Sequence, residues 1–138
     1  MPPKLFTLSE ANELLPTLEP LMRRLMAKRR EFREYEQAVE GFRAKASRDG
    51  GILPGADYAY VRQESTRLLM EIREGVQEIE ALGCLVKDLD LGLVNFLARR
   101  GRERVFLCWQ FGESAIRFWH GLREGFASRK PVGEDLVG

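Results

Sequence analysis

The sequence predicts an α+β fold: a long antiparallel helical hairpin packed with a small three-stranded antiparallel sheet and a short C-terminal helix. Three observations predict it. Two long segments flanking one Gly- and Pro-rich stretch repeat apolar residues in steps of three and four; after Gly83 the period changes to Val-, Leu- and Phe-rich runs cut by turns; after Gly112 helical spacing returns. The 138 residues fit one domain with a core of its own. It divides into a helical hairpin over 7–82, a sheet and C-terminal helix over 84–126, and a polar tail over 127–138.

The first helix starts at "FTLSEANELL", where Thr7 can cap the first turn, Glu10 can reach back three residues, and Phe6 stands where a hydrophobic staple begins. Pro16 and Pro20 each remove a backbone donor, which predicts a short helix that kinks or breaks there and a longer one beyond. From Leu18 the seam runs Leu21, Leu25, Lys28, Phe32, Tyr35, Val39, Phe42 and Ala46, a heptad pattern with one polar slot. Residues 47–57, "SRDGGILPGAD", form the connecting loop, and Asp57 is the candidate cap of the second helix. That helix carries Val61, Ser65, Leu68, Ile72, Gly75, Ile79 and Leu82 on one seam and ends at Gly83. The loop is too short to span the helices, so they pack antiparallel, in coiled-coil fashion.

Strands are expected near 84–88, 92–98 and 104–110, the last two as a hairpin around Gly101, with "DLDLG" (88–92) as a turn lacking the remaining acidic positions of a calcium loop. Their apolar residues are adjacent rather than alternating, which predicts a sheet covered on both faces, by the hairpin and by the C-terminal helix or a second copy of the chain. On the expected helix 113–126, an angular count at about 100° per residue sets Phe118, Trp119, Leu122 and Phe126 opposite a stripe of Glu113, Arg117, His120 and Glu124.

Composition narrows the function. Basic and acidic residues nearly balance, 22 against 21, so no overall field favours nucleic acid or an acidic membrane. No apolar run approaches the roughly 20 residues of a membrane span, and the N-terminus lacks the pattern of a secretory signal. The expected compartment is the cytoplasm, with Cys84 and Cys108 as reduced thiols. No phosphate-binding glycine loop, dinucleotide fingerprint or Ser-His-Asp set is present. The basic clusters "RRLMAKRREFR" (23–33) and "ARRGRER" (98–104) could contact phosphates, but acids mix into the helix and no aromatics interleave with the arginines of the turn, so nucleic acid is not the expected partner.

The stripe has two readings. It is a solvated ladder with one-turn pairs, Glu113 to Arg117 and His120 to Glu124, or it faces a pocket. In a pocket, Glu113 and His120 could ligate a divalent metal, although they stand two helical turns apart and need a third ligand from Asp88, Asp90 or Cys108. Arg117 would then clamp an anion and Trp109 would form a wall.

"FTLSEANELLP", "GLVNFLARRGRERVFLCWQFGESAIRFWH" and the following Gly-Phe resemble a family of small, mostly bacterial proteins known as domain-of-unknown-function family 2203. The resemblance spans essentially the whole chain, and its most specific part is the Cys-Trp-x-x-Gly-Glu block from Cys108 to Glu113 with the closing Trp119-His120. Relatives often carry Asp at the position of Asn95 and Pro at that of Leu97, which would weaken any ligand set there in this chain. The resemblance implies no activity. The leading expectation is a non-catalytic interaction or scaffold protein that forms a homodimer, with no cofactor; the alternative is a small-ligand or divalent-metal-binding protein or enzyme with a pocket between the sheet and the last helix.

Overall fold

The computed structural model describes residues 4–48, 50 and 55–136. Thr7 starts the first helix by the expected capping box: Thr7 Oγ1 accepts the Glu10 N–H at 3.1 Å, and Glu10 Oε1 accepts the Thr7 N–H at 2.9 Å. Helix α1 then runs unbroken over Leu8–Arg48, which corrects the expected break at the prolines. Pro16 and Pro20 lie four residues apart, hence on one face, and both are exposed. The carbonyls they leave without a helical donor are on the solvent side, where water can satisfy them, while Leu15, Leu18 and Met22 hold the other side in the core.

Helix α2, Gly55–Glu80, packs along α1. Every expected seam position is buried or half-buried, with Leu18, Leu25, Val39 and Ala46 of α1 facing Ser65, Leu68, Ile72 and Ile79 of α2. Gly75 matters for the approach: a Cβ there would stand 2.5 Å from Leu25 Cδ1. Asp57 lies inside the first turn of α2 rather than capping it, and most of the connecting loop (49 and 51–54) falls outside the described residues. Gly83, at φ 106°, turns the chain out of the helix, its N–H bonding to Glu80 O at 3.0 Å.

The sheet is larger than expected and mixed. Its strands are β1 (Leu5–Phe6), β2 (Leu85–Asp88), β3 (Leu93–Arg100), β4 (Glu103–Gln110), β5 (Phe118–Gly121) and β6 (Lys130–Pro131). The order is β1-β3-β4-β5-β6; β1 lies parallel to β3, and β2 pairs antiparallel with the other end of the same β3 edge. The three predicted strands are present within two residues of their expected limits, and the hairpin turns at Gly101.

The C-terminal helix does not exist. Residues 118–121 are a strand, because the outer edge of β4 offers unpaired backbone groups that Phe118–Gly121, rich in β-favouring aromatics, can satisfy. The segment expected as a tail also contributes: residues 130–131 pair with β5, and 3-10 turns form at 126–128 and 134–136, the second burying Leu136. The helices therefore cover one face of the sheet, with Leu18, Met22, Leu25 and Ile79 packed on Val94, Phe96, Leu107, Trp109 and Trp119. No second helical layer lies on the other face among the described residues.

Candidate functional site: the open face of the sheet

Register places the side chains. Leu97 is opposite Phe106, and Asn95 opposite Cys108; on the next strand Phe106 is opposite His120, and Cys108 opposite Phe118. Since side chains alternate, these residues point away from the helices. They form two cross-strand rows. One runs Leu5, Leu97, Phe106, His120, and the neighbouring one runs Leu85, Asn95, Cys108, Phe118, Pro131. Beyond the first row, Arg99 stands directly opposite Arg104.

The low centre of this face is polar and the rim is apolar. Asn95 and His120 are 3% and 2% exposed and Cys108 1%, whereas Leu97, Phe106 and Phe118 are half-buried and Leu5 is exposed. The His120 ring tilts against Phe106 at 5.9 Å, and its Nδ1 lies 2.9 Å from Gly121 O.

The Cys-Trp-x-x-Gly-Glu block is a structural staple. Gly112, at φ 102°, allows the turn after β4. Glu113 Oε1 accepts the Gln110 N–H at 2.6 Å, Glu113 O accepts the Trp109 indole N–H at 2.9 Å, and both carboxylate oxygens accept Arg129 Nη2–H at 2.7 and 2.9 Å. Arg129 also donates to Cys108 O at 3.2 Å, and its guanidinium stacks on Phe118 and Phe126 at 4.2 and 4.8 Å. One arginine from the expected tail thus clamps the end of β4 and lies across the open face.

Apart from the Trp109–Glu113 hydrogen bond, the predicted site residues do not converge. Without a helix the stripe dissolves: Glu113 is engaged by Arg129; Arg117 is exposed, with Nη2 3.3 Å from Ser114 Oγ; His120 lies on the open face; Glu124 accepts the Gly121 N–H and Lys130 Nζ–H at 2.7 and 2.8 Å. Those last two bonds hold the Glu124 carboxyl below its ordinary range, Lys130 contributing most. Trp109 faces the core, and Asp88 Oδ1 closes the expected turn by accepting the Asp90 and Leu91 N–H groups. Among the described residues no three His, Cys, Asp or Glu side chains gather where they could hold a metal ion. The first basic cluster is largely paired, Lys28 with Glu71 and Arg29 and Arg33 with Asp90.

Asn95, Cys108 and His120 resemble the residue types of a thiol hydrolase, but their state is wrong for it. Burial pushes the Cys108 thiol up, against the opposing pull of Arg129, and a nucleophilic thiol needs the reverse. Cys84 is pushed up to about 11 by burial. Neither thiol is therefore expected to react with a disulfide reagent near neutral pH in the folded protein, and both should react after unfolding; rapid native labelling of Cys108 would contradict this. With the folded value raised, the Cys84 contribution to stability is intact below the unfolded thiol value, about 8.5. It is lost as pH rises toward 11.

Arg129 and Phe106 also stand on the face, and sequence reasoning did not single them out; Arg99 and Arg104 lie in the basic cluster 98–104 that it weighed for phosphate contact. A signal existed for two of the strands: a hairpin closed at Gly101 fixes which residues of 93–100 and 103–110 share a face. No local pattern announces Arg129.

A family model described as "Uncharacterized conserved protein (DUF2203)" matches residues 4–132. No curated protein and no solved structure matches the chain.

Proposed function

The chain belongs to the DUF2203 family, and from the geometry above we propose that it is a non-catalytic interaction protein that self-associates and works through the open face of its sheet. One observation carries this reading: among the described residues the six-stranded sheet has a helical layer on one face, and the other bears an apolar row around low-lying polar groups. Such a surface suits binding. Burial of the Cys108 thiol and engagement of the Glu113 carboxylate by Arg129 favour binding over turnover.

The helices supply a surface for self-association. Arg33 still reaches Asp90 in the β2–β3 turn, and the turns of α1 beyond it pair with the start of α2 as an arm of about 20 Å. Val39, Ala46 and Leu68 are buried there outside the main core, Phe42 packs edge-on against Tyr58 at 6.0 Å, and Tyr60 is 58% exposed. Tyr35, Phe42 and Tyr58 remain half-buried on the arm, and a four-helix bundle would cover them together with Tyr60. Pairing two arms about a two-fold axis closes that bundle and makes a homodimer.

Light scattering at micromolar concentration tests it. The wild-type chain is expected to have the mass of a dimer and Tyr60→Glu that of a folded monomer. A monomeric wild-type chain would overturn the self-association.

A further inference from the structure

The open face has a charge pattern that folding does not explain. Like charges directly opposite in an antiparallel ladder are destabilising, yet Arg99 and Arg104 occupy such a pair, both exposed, with Arg102 at the hairpin tip beside them. The acids nearby are directed elsewhere. Arg100 takes Glu103 at 3.3 Å and Asp135 at 2.6 Å and stacks on Trp119 at 4.6 Å, all by way of the face that meets the helices. Among the described residues Arg99, Arg102 and Arg104 form no ion pair.

An aromatic stands beside these arginines on the same face of the sheet. Two residues along β4 from Arg104, about 7 Å away, Phe106 lies half-buried in the row that includes Leu97 and His120. Phe118 continues the floor one row further, with the Arg129 guanidinium on it. A cationic end followed by a partly exposed aromatic side chain on a sheet face is an arrangement that can hold phosphates and stack an unpaired base.

We propose that the open face binds single-stranded nucleic acid, with backbone phosphates at Arg99 and Arg104 and a base stacked on Phe106. This rests on the open face being the working surface. A purely apolar partner, a second copy included, would leave Arg99 and Arg104 uncompensated at the interface. A duplex offers phosphates but no free base face, so single strands are preferred.

Fluorescence anisotropy with labelled oligo(dT) and oligo(U) tests it on the full chain. Expected results are binding that weakens from about 50 to about 200 mM salt, and at least tenfold weaker binding for the double variant Arg99→Glu/Arg104→Glu. Phe106→Leu keeps the apolar volume and is expected to lose about tenfold through lost stacking, with the salt slope unchanged. Heparin binding equal to that of the oligonucleotides and indifferent to Phe106→Leu would overturn the proposal in favour of a general polyanion surface. Binding to phosphatidylserine vesicles but to no oligonucleotide would overturn it in favour of a membrane. If no oligonucleotide binds while light scattering still gives a dimer, the nucleic-acid assignment fails and the self-association stands.

Discussion

Replacing Glu113 by alanine is expected to cost roughly 3 kcal/mol of folding stability, because it leaves the guanidinium of Arg129 without its counter-charge. The Arg129 side chain is only 12% exposed and that of Glu113 23%, so solvent cannot replace the lost carboxylate. The same change removes the acceptor of the Gln110 N–H in the turn after β4. Urea denaturation should show a lower midpoint at unchanged slope, and melting should fall by about 10 °C. Glu113→Gln keeps an acceptor for Gln110 and loses the charge, so its cost is expected to be intermediate. A double replacement of Glu113 and Arg129 by leucine and methionine should cost less than the sum of the single changes, since no unpaired charge remains. Additive costs would show that the two residues do not act as a pair.

Trp109→Ala is expected to cost about 4 kcal/mol, at the upper end for large-to-small changes in a core. The side chain is 1% exposed, lies opposite Val94 and meets Phe111 edge-on at 6.1 Å. Trp109→Phe separates two contributions. It retains most of the ring and deletes the indole donor to Glu113 O, and a loss of about 1–2 kcal/mol is expected from the unpaired carbonyl and the residual space. Because Trp109 and Glu113 brace one turn, the pair should be non-additive in a double-mutant cycle. A Trp109→Ala protein with wild-type stability would remove the turn from any account of why this block is so specific.

The same turn shows why half of the site escaped a reading of the sequence. Glu113 and His120 fall on one side of an imagined helix because spacing over fourteen residues fits a 3.6 period; the actual segment is a turn, a strand and another turn. Periodicity in so short a window reports which residues are apolar and says nothing of what edge is available to pair with. Here the free edge of β4 was available, and pairing with it settled 118–121 as a strand. The prolines failed as breakers for a related reason: whether a lost helical bond costs much depends on which way the carbonyl faces, and that is fixed by packing of Leu15, Leu18 and Met22.

Features that depend on neighbours in the chain were legible. The Thr7–Glu10 capping box, the seams of both helices, the turn after Asp88 and the hairpin at Gly101 all involve residues within a few positions or one period of each other. These, with the match of composition to a folded domain, are what the sequence by itself determined: the helical hairpin, three of the strands and the pairing of two of them as a hairpin. Tertiary structure alone decided which face is left open and what stands on it. Leu5, Leu97, Phe106 and His120 come from four strands, and Arg129 meets Glu113 across sixteen residues. Side chains that alternate sides every residue become a surface only when register sets the strands beside one another.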